Sequence, residues 1–283
     1  MIRKISTEIG SCMPILGAER TVEEVARAGF DGWDFSMFRM ADALRDGASF
    51  AEVAHRWRTL ASTLKRIGQE NRIVCNQSHA PFPVRDPDVF ACLPLAIECT
   101  AVAGGSICVV HPDNNKSAEE NAKMYRELLP VAHSCGVKLA AENMWNWNDE
   151  KDEACFVACS DEQDFSAHLD AVNNPGLVAC LDIGHAEMRG LNTSAEKMIR
   201  ALGPRLQALH LHDNDLHRDL HQLPFSGRIP WDRVISALRE VRYSGWFTLE
   251  ADRYLPGSSP DESVSGLREM ARTARCLAHK MDF

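Results

Sequence analysis

The stretch Leu206-Gln-Ala-Leu-His-Leu-His-Asp-Asn-Asp-Leu-His-Arg-Asp-Leu-His221 decides the reading of this chain. It opens as an apolar run suited to a buried strand. It then becomes a cluster of metal-ligand side chains: His210, His212, Asp213, Asp215, His217, Asp219 and His221. Residues two apart on a strand share a face, so His210 and His212 project together. Unpaired polar groups are costly to bury, and a buried strand ending in paired imidazoles therefore points to a purpose such as metal binding. The ordinary alternative is an exposed polar loop that happens to contain histidines. That alternative weakens once other strand ends are read the same way.

Outward from this stretch, the chain alternates strand and helix patterns. Lys4–Ile9 leans to a strand, and Thr21-Val-Glu-Glu24 is a capping-box pattern that predicts a helix over Thr21–Ala28. Gly29–Phe35 reads as a turn and second strand, Phe38–Gly47 as a loop or short helix, and Ser49–Asn71 as a long helix. Arg72–Ser78 is a third strand ending at His79-Ala-Pro, followed by a helix over Asp86–Ala103 that Gly104-Gly105 stops. Ser106–Val110 is a fourth strand ending at His111-Pro112. Ser117-Ala-Glu-Glu120 then opens a helix to about Cys135. The fifth strand, Val137–Ala141, ends at Glu142-Asn143 and leads into a polar, aromatic loop over Met144–Ser160. A helix over Ser160–Val172 precedes the sixth strand, Gly176–Leu181, which ends at Asp182-Ile-Gly-His185. A helix around Thr193–Leu202 precedes the seventh strand, Leu206–Leu211. Pro230 starts the next helix, as proline suits a first turn. The eighth strand, Gly245–Leu249, ends at Glu250-Ala-Asp252, and the last helix covers Asp261–His279.

Strand–helix alternation of this kind indicates parallel βαβ units. Eight units in 283 residues predict a single (β/α)8 TIM barrel over 1–283, with its active site at the C-terminal ends of the strands. No linker or low-complexity segment divides the chain.

Composition sets broad limits. With 45% hydrophobic and 25% charged residues the chain reads as an ordinary soluble globular protein. The formal charge of −9 argues against a nucleic-acid partner, which favours a basic face. No run reaches the roughly 18 apolar residues of a membrane span, and Met1-Ile-Arg-Lys-Ile lacks a secretory pattern. The ten cysteines are therefore expected to be reduced and mostly buried, in a cytoplasmic protein. Cys155 and Cys159 form a CxxxC with no second pair at zinc-ribbon spacing, so they are expected to be packing residues.

Six successive strand ends carry ligand-type residues: His79, His111, Glu142, Asp182 with His185, His210 with His212, and Glu250. Each alone has a plain explanation; His79 could cap a turn and Glu142 could pair with an arginine. A full set on the face where barrel enzymes work is better explained as a site. Carboxylates and imidazoles without thiolates suit a divalent metal such as Mn, Zn, Co or Mg. A hard, anionic shell of this kind can hold vicinal oxygens of a polyol or hydroxy-ketone and polarise a carbonyl. Paired glutamates can then move a proton between or onto adjacent carbons. Trp145 and Trp147 follow strand five, where aromatic faces could stack on a sugar or simply anchor the loop. Arg253, just past strand eight, is a candidate for an anionic substrate group, with a surface ion pair as its ordinary reading.

The ordered fragments Gly29-Phe-Asp-Gly-Trp-Asp, His79-Ala-Pro, Val109-Val-His-Pro112, Ala141-Glu-Asn143, Leu181-Asp-Ile-Gly-His185, Leu209-His-Leu-His-Asp213, Asp219-Leu-His221 and Leu249-Glu250 resemble the xylose-isomerase-like TIM barrel superfamily. That group holds sugar (phosphate) isomerases and epimerases together with endonuclease-IV-type AP endonucleases. The epimerase branch implies one metal on Glu142, Asp182, His210 and Glu250, with Glu142 and Glu250 as the catalytic acid/base pair. It also implies substrate binding by His185, a small-molecule carbohydrate substrate, and a homodimer or homotetramer; His79 and Trp145, from their places at strand ends three and five, are further substrate-binding candidates. The nuclease branch implies additional zinc ligands at His79, His111, His185, Asp219 and His221, and all of those positions are filled here with matching residue types. Leu181-Asp-Ile-Gly-His185 and the segment Asp219–Trp231 resemble the sugar-enzyme version more closely. His212 departs from the nuclease pattern, which has Asn there. The resemblance thus implies a metal-dependent sugar isomerase/epimerase. A multinuclear phosphodiesterase is the alternative, and a metal-dependent lyase or dehydratase on a sugar-like substrate is a third reading.

Overall fold

A computed structural model describes residues 3–255 and 259–282. Eight parallel strands form the barrel: β1 (Ile5–Glu8), β2 (Gly32–Ser36), β3 (Val74–His79), β4 (Ile107–Val109), β5 (Lys138–Glu142), β8 (Leu177–Asp182), β9 (Leu206–His210) and β10 (Phe247–Leu249). Two further strands, β6 (Asn146–Asn148) and β7 (Glu153–Cys155), form an antiparallel hairpin outside it. The sheet runs β10-β1-β2-β3-β4-β5-β8-β9. Its ends meet through Leu211, whose N–H donates to Thr248 O and whose carbonyl accepts from Glu250 N. Helices between the strands cover the outside. This is the (β/α)8 TIM barrel that the alternation predicts.

Local chemistry sets most element ends. Ser49 with Glu52, and Ser117 with Glu120, form complete capping boxes at helices Phe50–Glu70 and Ala118–Cys135. Left-handed Gly104 and Gly136 close two helices where a side chain would be strained. Two expectations need correction. The first helix of the ring runs Ala18–Ala28, not from Thr21. Gly17, at φ +78°, breaks the chain earlier, and Thr21 Oγ1 donates back to Gly17 O at 2.8 Å instead of capping. The Met144–Ser160 segment is no plain loop, because it contains the β6–β7 hairpin.

Period two along the strands builds the interior. Val109, Ala140, Val178, Cys180 and Ala208 form a small buried cluster of their own, apart from the large core under the helices. Two residues further along these strands, on the same face, come His111, Glu142, Asp182 and His210. Opposite this apolar patch the interior is polar. Ser6 Oγ donates to Thr248 Oγ1 at 2.9 Å, and Asn76 Nδ2 donates to Thr248 Oγ1 at 3.1 Å. Two residues past Thr248 lies Glu250. Six of the eight barrel strands, β3, β4, β5, β8, β9 and β10, thus lift ligand-type side chains onto the C-terminal rim. Among the described residues no helix is long and apolar enough to cross a membrane.

Candidate metal centre

Glu142 ends β5 and is the hub of the rim. Its Oε1 lies 2.7 Å from His210 Nδ1, and its Oε2 lies 3.1 Å from His79 Nε2 and 3.0 Å from His111 Nε2. His79 Nδ1–H donates to Ala80 O, which turns Nε2 toward the glutamate. Glu250 Oε2 lies 3.3 Å from the same His210 Nδ1. Asp182 is held by its neighbour Asn143: Asp182 N–H donates to Asn143 Oδ1 at 2.7 Å, and Asn143 Nδ2 donates to Asp182 O at 2.9 Å. The Asp182 carboxylate caps the short turn Ile183–Ala186 by accepting from His185 N at 2.7 Å.

Glu142, Asp182, His210 and Glu250 each offer a ligand atom, and all four atoms lie within 4.8 Å of one another. Ligands about 2.0–2.2 Å from a metal lie at most about 4.4 Å apart, so small side-chain adjustments would close these four on one cation. The electrostatics agree. These three carboxylates are buried with only imidazoles as ion-pair partners, and none pairs with Lys or Arg among the described residues. Burial pushes Glu142 up, but the charge of His210 and hydrogen bonds from three histidines outweigh it and hold the carboxyl well below the usual range. Burial lifts Glu250 to about 7, with His210 opposing and Glu142 adding to the shift. Burial also holds His111 down, to about 4. The donor set fits a divalent cation.

A second group adjoins the first. His185, His212, Asp219 and His221 bring ligand atoms within 4.8 Å of one another. His212 Nε2 lies 3.0 Å from Asp182 Oδ1, so the two groups share that carboxylate. His221 Nε2 lies 3.1 Å from Asp219 Oδ2, and the His212 and His221 rings stack at 4.0 Å. Asp219 Oδ1 and His212 Nδ1 are buried without a hydrogen-bond partner. Cys159, Asp164 and His168 also converge, but both His168 nitrogens are already used: Nδ1–H donates to Asp164 O, and Nε2 accepts from Asn121 Nδ2. That trio braces two helices.

The structure brings His79, His111, Glu142, Asp182, His185, His210, Asp219, His221 and Glu250 onto one rim, and Trp145 stands over it with its ring 6.3 Å from His185. Trp147 is turned away, under the Arg218 guanidinium at 4.0 Å. Arg253 is exposed and donates to Asp219 O, so it braces the loop that carries Asp219. Sequence reading missed Asp34 on β2, which contacts His210, and Asp252, which lies 2.9 Å from His221 Nδ1. It also missed the cleft beside His111, of about 210 Å³, lined by Phe82, Arg85, Asn114, Met144 and Asn146.

With this geometry in hand, residues 22–273 match the family described as xylose isomerase-like TIM barrel. The chain belongs to that family. An uncharacterized protein of Methanocaldococcus jannaschii is 24% identical over 190 residues, 61% of this chain and 62% of that protein. A D-psicose 3-epimerase of Enterocloster bolteae is 25% identical over 141 residues, 50% of this chain and 42% of that enzyme. These matches span less than two thirds of the length of either relative. A solved D-tagatose 3-epimerase-like protein has a TM-score of 0.70 at 19% identity, covering 98% of this chain and 99% of that one. An L-ribulose 3-epimerase scores 0.70 at 16% identity, over 100% and 95% of the two chains. The IolI protein, solved with a zinc atom, scores 0.68 at 17% identity, over 99% and 98%. At such identities these likenesses establish the shared barrel.

Proposed function

We propose that the protein is a divalent-metal-dependent sugar isomerase or epimerase acting on a ketose or related polyol-ketone. The observation that carries this reading is the pair Glu142 and Glu250, both facing His210 Nδ1 at 2.7 and 3.3 Å, within a four-residue ligand set on the barrel rim. Glu142, Asp182, His210 and Glu250 would hold the cation. When bound, it polarises the substrate carbonyl and acidifies the adjacent C–H. One glutamate takes the proton from that carbon, and the other delivers a proton from the opposite side. His185, fixed by its Nδ1–H to Asn143 O at 2.9 Å, presents Nε2 to a substrate hydroxyl. Trp145 covers the sugar and excludes water. The similarity to D-psicose and L-ribulose 3-epimerases supports a carbohydrate substrate.

The test is solvent exchange. Ketoses incubated with the protein in deuterium oxide should gain deuterium next to the carbonyl, and Glu250→Gln and Glu142→Gln should each lower that rate at least about 100-fold with the fold intact. Exchange that persists in both variants would sink the mechanism.

A second reading is a phosphodiesterase of the AP-endonuclease type with several zincs. Asp219 Oδ1, buried without a hydrogen bond among three histidines, favours additional metal there. Elemental analysis of protein purified without chelator separates the two. About one metal per chain supports the epimerase; two or three zincs, with cleavage of abasic duplex DNA, would put the phosphodiesterase first.

A further inference from the structure

We infer that Asp34, held by Gln77, is a positioning residue that fixes the tautomer of His210 and so aims its Nδ1 at the metal. This rests on the metal reading above. Asp34 lies on β2, is fully buried, and touches no proposed metal-ligand carboxylate. Its Oδ2 is 3.2 Å from His210 Nε2 and accepts from Gln77 Nε2 at 2.9 Å. The direction of each hydrogen bond follows from the barrel interior. Gln77 Oε1 faces two donors, Asn76 Nδ2 at 3.2 Å and Thr248 Oγ1 at 3.2 Å. The Gln77 amide therefore cannot flip without losing both, and its NH2 must point at Asp34. Asp34 is then an acceptor, so His210 Nε2 carries the hydrogen. When His210 gives up its second proton to become a neutral ligand, the lone pair therefore appears on Nδ1, beside Glu142 and Glu250. A ligand imidazole must be deprotonated at its metal-facing nitrogen, and a carboxylate on the other nitrogen supplies orientation and basicity.

The register makes the contact possible. Strand β3 carries an extra residue, Asn76, opposite the Trp33/Asp34 step of β2, and this shift places Gln77 directly across from Asp34. Without the bulge, period two would set Asn76 there.

The experiment measures metal affinity of the full chain, with Zn2+ competed by a chromophoric chelator, for wild type, Asp34→Ala and Asp34→Asn. Histidine-ring 15N shifts of the Zn2+-loaded forms report the tautomer. Asp34→Ala should weaken Zn2+ binding about 10–100-fold, while Asp34→Asn, which keeps an acceptor, should recover part of that loss and keep the Nε2–H form of His210. Wild-type affinity in Asp34→Ala overturns the inference. So does Asp34→Asn binding no better than Asp34→Ala, or a changed His210 tautomer in Asp34→Asn. Should Asp34→Ala fail to fold, the Asn variant decides through its ring shifts and affinity. A wild type that binds no divalent metal overturns the metal reading itself, and this inference with it.

Discussion

A Cβ at Gly184 would sit 1.9 Å from the His212 ring, so the first turn after Asp182 can pass over that imidazole only as glycine. His212 in turn holds Asp182 at 3.0 Å. Gly184→Ala should therefore push the ring aside, costing about 1–3 kcal/mol of stability and weakening metal binding about 10-fold or more. Thermal melts with and without Zn2+ measure both; a Gly184→Ala variant that melts and binds like wild type would contradict this packing. Residue-level legibility follows the same logic. His79, Glu142 and His210 could be read from sequence because each stands at a strand end, before a turn or breaker. Asp34 could not, because it sits between Trp33 and Phe35 in a strand whose facing register depends on a bulge in its neighbour. His212 was visible as a ligand type, but its partner, Asp182, lies 30 residues away in the chain. Only the fold joins them.

Among the described elements, the β6–β7 hairpin was hidden by its composition. Asn146-Trp-Asn148 and Glu153-Ala-Cys155 have weak strand character, and the turn between them is polar. Tertiary packing supplies what propensity lacks. Ala154, Met188 and Leu191 form a small buried cluster with Trp145 and Trp147 against it, and Ala154 N–H donates to Arg189 O. Arg218 and His217 both reach Asp152 at the hairpin tip. The hairpin thus clamps Trp147 and leaves Trp145 facing His185. On the proposed function, in which the indole would contribute binding area and not a proton, Trp145→Ala should raise KM for a ketose several-fold with a smaller change in kcat. Trp147→Ala should act through stability, lowering Tm. Steady-state kinetics and melts separate them; equal kinetic effects from both would mean the hairpin works as one lid wall. The helix at Ala18 makes a related point. The capping-box pattern at Thr21 forms no cap, because Gly17 starts the helix earlier and the Thr21 hydroxyl donates back to Gly17 O.

For the molecule as a whole, the rim stores opposite charges that respond to pH with a definite sign. His185 is lifted to about 10: burial opposes its charge, but Asp182 and Asp219 outweigh burial. A base raised above its unfolded value near 6.5 stabilises the fold below that pH, and the gain disappears as pH rises through the folded value. Glu250, lifted to about 7 chiefly by burial, works in the same direction, since its ionisation between about 4.5 and 7 costs folded-state stability. On the acid side, Asp182 is lowered to about 2: burial opposes the shift, but His185 and His212 outweigh it, and its contribution is lost as pH falls below about 4. The metal-free chain should therefore be most stable in mildly acid buffer and lose Tm steadily from pH 6.5 to 10. Metal binding has the opposite slope, because bound imidazoles must be neutral and bound carboxylates ionised, so protons compete with the cation. The Tm difference between Zn2+-loaded and chelator-treated protein should widen from pH 5.5 to 8.5. A gap that stays flat or narrows over that range would mean that Glu142, Asp182, His210 and Glu250 do not share a cation, and that the buried charges are balanced by protons alone.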